Sequence, residues 1–156
     1  MRKKRIFKKN MINPDPKYKS ELVAKFVNHI MKNGKKITAL NIFYDAMDII
    51  KEKTEQEGLD VLMTALENVC PTVETKRRRI GGATVQVPVE IYKERSQYLG
   101  MSWLIKYARE RSDKTMKCKL ASELIAALNN EGKAVKRKEE VHKMAASNKA
   151  SASLKF

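Results

Sequence analysis

Residues 58–105 read GLDVLMTALENVCPTVETKRRRIGGATVQVPVEIYKERSQYLGMSWLI, and the period of the apolar residues changes twice inside this one stretch. Val61, Leu62, Ala65, Leu66 and Val69 recur at the spacing of one helical face. Pro71 ends that helix, because it lacks an N–H and disfavours helical backbone at Cys70. The period then drops to two: Val85, Val87 and Val89 alternate with Thr84, Gln86 and Pro88, and Gly81-Gly82 stands before them after Thr72 to Ile80. This pattern predicts a β-hairpin over about residues 72–90. Pro88 cannot donate a ladder hydrogen bond, so the ribbon is isolated or at an edge, and two strands alone are marginal in water. Helical spacing resumes with Leu99, Trp103, Leu104 and Tyr107. The fold class that follows is mainly α, with a two-stranded hairpin inserted between the third and fourth helices.

The flanking sequence supplies the other helices. Upstream, Asn13-Pro14-Asp15-Pro16 is a turn-rich boundary. After it, Ser20 is a plausible N-cap for a helix carrying Leu22, Val23, Phe26, Val27, Ile30 and Met31, with a C-cap signal at Asn33-Gly34. A second helix starts near Lys36 and turns Leu40, Phe43, Tyr44, Met47 and Ile50 to one face. Downstream, a fifth follows Asp113 with Leu120, Leu124, Ala127 and Leu128, and Asn129 to Gly132 break the chain. A sixth, from about Lys133, is apolar only at Val135, Val141, Met144 and Ala145, which predicts a surface position. The expected organisation is a basic arm over 1–12, one six-helix domain over 13–146 and a tail over 147–156.

The chain has 156 residues, 42% of them apolar, enough for one domain with a real core. Its 33 Lys and Arg against 18 Asp and Glu give a net charge of +15, which calls for a polyanionic partner. The charge is uneven. Residues 1–36 hold twelve basic and two acidic side chains, whereas residues 37–70 hold two basic and seven acidic. Basic residues cluster at Arg2 to Lys9, at Lys76 to Arg79, and at Lys114 to Lys119 with Arg109 and Arg111 upstream. The acidic stretch, with Asp45, Asp48, Glu52 and Glu55, is expected to face away from nucleic acid. A membrane partner fits poorly, because the longest apolar run is Leu124 to Leu128. Met1 to Lys9 is not followed by an apolar stretch, so no secretory signal is expected and cytoplasmic residence is.

Chemistry that would mark an enzyme is missing from the pattern. Cys70 and Cys118 form no Cys-x-x-Cys motif, and His29 and His142 are scattered, so neither a metal site nor a disulfide is signalled. The glycines build neither a phosphate-binding Gly-x-x-x-x-Gly-Lys loop nor a Gly-x-Ser-x-Gly elbow. No cofactor and no small-molecule substrate are expected. Gly81-Gly82 could hold an anion on successive N–H groups, but a hairpin turn needs residues of positive φ for local reasons, and that reading is preferred. Tyr44, Trp103 and Tyr107 could stack on bases, yet their spacing with leucines favours the core.

Several stretches carry a resemblance: Asn13-Pro14-Asp15-Pro16-Lys17-Tyr18, Gly34-Lys35-Lys36, Arg78-Arg79-Ile80-Gly81-Gly82-Ala83-Thr84, Gln86-Val87-Pro88-Val89-Glu90, Trp103-Leu104, Lys114-Thr115-Met116 and His142-Lys143-Met144-Ala145. In these the chain resembles the small-subunit ribosomal protein seven family, closest to its bacterial and organellar branch, nearly end to end. Ser102 and Cys70 depart from that pattern. The resemblance implies a non-catalytic structural role, bound to the 3′ major domain of small-subunit ribosomal RNA, where the family nucleates head assembly. It implies a hairpin and C-terminal region near the exit-site transfer RNA and messenger RNA, and small-subunit proteins nine, eleven and thirteen as neighbours. A cytoplasmic ribosome is expected, an organellar one being possible.

With the charge clusters, it makes Arg2, Lys3, Lys4, Arg5, Lys8, Lys9, Lys35, Lys36, Arg95, Arg109, Arg111, Lys114, Met116, Lys117, Lys119, Lys136, Arg137 and Lys138 candidates for ribosomal RNA contact. Lys76, Arg77, Arg78, Arg79, Gly81 and Gly82 are the candidates for the transfer and messenger RNA path, and His142, Lys143 and Lys149 for C-terminal RNA contact. An architectural DNA-binding protein is the competing class. It would insert a proline wedge from the ribbon tip, and Pro88 lies inside the second strand instead. An RNA-modifying enzyme would need a nucleophile or cofactor site that the sequence does not offer.

Overall fold

The structure is a computed structural model that describes residues 12–80 and 82–150. The arm candidates Arg2, Lys3, Lys4, Arg5, Lys8 and Lys9, the hairpin residue Gly81 and tail residues 151–156 lie outside the described residues. Six helices and one hairpin follow in the order α1 (Glu21–Ile30), α2 (Lys36–Thr54), α3 (Gly58–Val69), β1 (Val73–Ile80), β2 (Ala83–Glu90), α4 (Lys93–Glu110), α5 (Met116–Leu128) and α6 (Lys133–Ser147). The mainly α class and the insertion of the ribbon between α3 and α4 are as the periodicity predicts.

Local chemistry sets the boundaries. Asp15 is almost fully buried and its carboxylate accepts from the N–H groups of Lys17 and Tyr18 at 3.1 and 3.0 Å. It also accepts from the Tyr44 hydroxyl at 2.8 Å, which ties the proline-rich turn to α2. Burial first, and then this hydrogen bond to Asp15, push the Tyr44 phenol up to about 12. Ser20 stands at the N-cap of α1 with extended backbone, but its side chain makes no capping hydrogen bond. α1 stops at Ile30, a turn before Asn33 and Gly34, whose φ values of 53° and 73° carry the chain round into α2. Thr115 caps α5 by accepting from the Cys118 N–H. Gly58 has no room for a side chain, since a Cβ there would lie 3.0 Å from the Met47 Cβ.

The core is one cluster drawn from all the helices, with Phe26, Phe43, Ile50, Leu62, Leu104, Leu120 and Leu124 fully buried. α5 runs through its middle and packs against α2, α3 and α4. Tyr44, Trp103 and Tyr107 pack against this cluster half-buried, in agreement with their helical spacing. α6 buries Ala134, Val135, Val141 and Ala145 and leaves Lys133, Lys136, Glu139, Glu140 and Lys143 exposed.

The hairpin is a two-stranded antiparallel sheet in continuous register from Val73 opposite Glu90 to Ile80 opposite Ala83. Pro88 faces Thr75 near the base, where a strand with one free edge tolerates a missing donor. Only the base is packed: Val87 is fully buried, and both strands lean on α6. Ser96 donates to the Pro71 carbonyl at 2.6 Å, and the Thr72 N–H donates to His142 Nε2 at 3.2 Å. The outer half, from Arg77 to Thr84, projects with exposed side chains wherever these are described. Gly82 has φ 88°, the left-handed conformation that a tight hairpin turn requires.

Candidate nucleic-acid interface

Three helix ends meet at one corner of the domain: the C-terminal end of α1 with the turn into α2, the C-terminal end of α4, and the start of α5. Between them lies a groove of about 320 Å³ lined by Ile30, Lys32, Lys35, Thr38, Ala39, Ile42, Arg109 and Met116. Its floor is aliphatic and its rim cationic. Lys32 and Lys35 are exposed and have no ion-pair partner among the described residues. Arg109 donates from its guanidinium to the Ile30 carbonyl at 3.1 Å, a contact that fixes the side chain across the groove and leaves its charge unneutralised. The predicted residues Lys35, Arg109 and Met116, 81 positions apart at the extremes, are thereby brought together. Lys36 is exposed in the first turn of α2, and Lys114 is exposed just ahead of α5. Lys119 reaches back to the Arg109 carbonyl at 3.4 Å.

Other predicted cations are engaged with carboxylates. Arg111 Nε lies 2.6 Å from Glu123, a carboxylate buried in the bundle whose other oxygen accepts the Ala134 N–H at 3.2 Å. Lys117 pairs with Asp45 at 3.1 Å, so the acidic face of α2 is stitched to the basic start of α5. Arg95 and Lys76 both approach Glu74, at 3.2 and 3.3 Å, and Arg95 also lies over the Tyr98 ring. Arg137 pairs with Glu140 at 2.9 Å, while Lys138 donates to the Asn68 carbonyl at 3.0 Å. Lys136, Lys143 and Lys149 are exposed along α6 and just beyond it.

The hairpin forms a second cationic region, separate from the groove, with Arg77, Arg78 and Arg79 exposed on β1. His142 does not reach outward: its Nε2 accepts the Thr72 N–H at the hairpin base. Burial, and then the nearby Lys138 charge, lower its pKa from the ordinary 6.5. Burial lowers that of His29 too, whose ring stands edge-on to Tyr98.

Two residues of the interface escaped the sequence reading. Lys32 belongs to the groove, and its signal was its place directly ahead of the Asn33-Gly34 turn. Glu123 organises Arg111, and its signal was its position on the apolar face of α5, between Leu120 and Leu124. No group of residues among those described could hold a metal ion.

The family described as ribosomal protein S7p/S5e matches residues 1–149 of this chain. The small ribosomal subunit protein uS7 of Amoebophilus asiaticus is 55% identical over 143 residues, 92% of either chain. That of Heliobacterium modesticaldum is 58% identical over 137 residues, 88% of either chain. That of Teredinibacter turnerae is 48% identical over the whole of both chains.

Proposed function

This chain belongs to the ribosomal protein S7p/S5e family, and from that premise we propose that it is a non-catalytic constituent of the small ribosomal subunit that docks through the corner groove. The ligand is the 3′ major domain of small-subunit ribosomal RNA, and docking there nucleates assembly of the head. The observation that carries this reading is the convergence of Lys32 and Lys35 from the α1–α2 turn with Arg109 from the end of α4, all uncompensated by carboxylates among the described residues. Cations held on rigid helix ends keep their geometry when they meet phosphates, so less order is lost on binding.

The hairpin suits a different task. Its outer half contributes nothing to the core and carries Arg77, Arg78 and Arg79, just beyond Lys76, on a projecting ribbon, which fits contact with the exit-site transfer RNA and messenger RNA. Its base is held by α6, so the ribbon and the C-terminal cations Lys143 and Lys149 would approach that path together. Pro88 at the base, opposite Thr75, is badly placed to wedge a base step, which disfavours the architectural DNA-binding alternative. Small-subunit proteins nine, eleven and thirteen are the expected protein neighbours, in a cytoplasmic ribosome.

Equilibrium binding to a transcript of the 3′ major domain tests the docking assignment. The wild-type protein should bind it in preference to an unrelated transcript of equal length. Lys35→Ala with Arg109→Ala should weaken binding and flatten its salt dependence, while Glu52→Gln with Glu55→Gln should do neither. Equal binding of both transcripts, or a loss equal for both pairs, would remove the groove from the docking surface.

A further inference from the structure

The corner groove is built for more than phosphates. A duplex backbone needs only a cationic surface, because in an A-form helix the bases are stacked inside and the phosphates face out. Here the cations stand on the rim, and below them Ile30, Ala39, Ile42 and Met116 form an aliphatic floor with the Thr38 hydroxyl at its edge. A duplex resting on the rim would leave that floor uncovered. At about 320 Å³ the groove lies at the small end of ligand pockets, which run from ~300 to 1,000 Å³, and leaves room for a flat group of base size. No carboxylate among the described residues lines it, so nothing there repels a phosphate.

We infer that this groove takes a single unstacked nucleotide of the ribosomal RNA, with its base on the aliphatic floor and its phosphate on the rim. The inference rests on the docking reading and deepens it. The Met116 thioether, at the first position of α5, supplies a polarisable face against the edge of the ring. Thr38 offers a hydroxyl that both donates and accepts, which tolerates more than one base. Arg109, pinned by the Ile30 carbonyl, holds its plane where the phosphate of the extruded nucleotide passes. Lys32 and Lys35 supply the remaining charge. The bound element is therefore a bulge, loop or junction and not a continuous helix.

Met116→Ala separates the two contributions, since alanine is the best helix former and leaves every cation in place. In the full-length protein, this change should weaken binding to the 3′ major domain transcript by about tenfold, a loss typical of removing one base contact, with the slope of log affinity on log salt unchanged. Met116→Leu should restore most of the affinity. In a second measurement, the transcript should slow oxidation of Met116 by peroxide, followed by mass spectrometry, and a perfect RNA duplex of equal charge should not. Undiminished binding by Met116→Ala, or equal protection by the duplex, would overturn the inference while leaving phosphate docking intact. Wild-type protein that failed to prefer the transcript would overturn the docking reading, and this inference with it.

Discussion

Arg109 and Arg111 are two residues apart at the end of α4, and the regions they serve could hardly differ more. Arg109 spans an open groove, bound to a carbonyl oxygen that leaves its charge available to a ligand. Arg111 turns the other way and closes on a buried carboxylate, joining the α4–α5 connection to α5 and, through Glu123, to the start of α6. Proximity in sequence thus says little about what a cation does. What decides is whether a carboxylate lies within reach on the side to which the backbone points it. One arginine is left open to a ligand and its near neighbour is committed to architecture.

The largest expected effect breaks the architectural half. Arg111→Ala leaves Glu123 charged, 2% exposed along its side chain, and supported only by the Ala134 N–H. Breaking a buried pair costs about 3 to 5 kcal/mol, and the partial exposure of Arg111 argues for the lower figure. For a domain of this size that lowers the unfolding midpoint by roughly 6–12 °C. Arg109→Ala should shift it far less. Calorimetry on the two variants checks the contrast, and equal losses would erase it.

The recognition half is tested by salt. Replacing Lys32, Lys35 and Arg109 together with alanine should reduce the slope of log affinity on log salt by about 2 to 3, because each phosphate contact releases roughly 0.7 to 0.9 of a counterion. Arg111→Ala, compared at a temperature where it is folded, should leave the slope nearly unchanged. A slope that fell equally in both would mean that Glu123 does not neutralise Arg111 toward RNA.

Much of the frame was legible in the sequence, because period and turn chemistry are local. The switch to period two after Pro71 located the ribbon, and Asn33-Gly34 and Gly58 marked helix limits that the structure keeps within a few residues. The state of each charge was not legible. Arg111 and Lys117 sit in a basic cluster and Arg95 near a helix start, but their partners Glu123, Asp45 and Glu74 come from other elements, and only tertiary packing brings them close. Asp15 read as a turn residue, whereas it is also an anchor for Tyr44 across 29 positions. The groove itself could not be read, because its walls come from four separate helices.

The hairpin offers a smaller test of the same division between structure and recognition. Arg77 pairs with Gln86, so residues 77–86 can be excised with their ladder intact and Lys76 joined to Val87 by an Asn-Gly turn. Val87, which is fully buried, remains in place. The unfolding midpoint should move by the equivalent of less than about 1 kcal/mol, as expected for surface changes away from the core. Binding to the 3′ major domain should persist, and retention of exit-site transfer RNA in a translation assay should change. Failure of this variant to enter small subunits would make the ribbon a docking element.

The smallest expected effect concerns the joint between the hairpin base and α6. His142 can accept the Thr72 N–H through Nε2 only while that nitrogen is unprotonated. Protonation would set two donors against each other and add a positive charge beside Lys138. Both burial and that lysine already hold the imidazole below its ordinary 6.5. A pKa lower in the folded state than in the unfolded chain means that the unfolded chain binds more protons, so stability rises with pH across the interval. The contribution is complete above about 6.5 and disappears as pH falls through the lower, folded value. His29 is lowered by burial as well and adds to the same trend. Unfolding midpoints measured between pH 7.5 and 5 should therefore fall, and His142→Gln, whose side-chain carbonyl can still accept from Thr72, should flatten part of that fall. Amide exchange at Thr72 should quicken at the acidic end in the wild type and respond less in the variant. An exchange rate at Thr72 that kept to the ordinary pH dependence of an exposed amide in both proteins would show that the joint does not titrate.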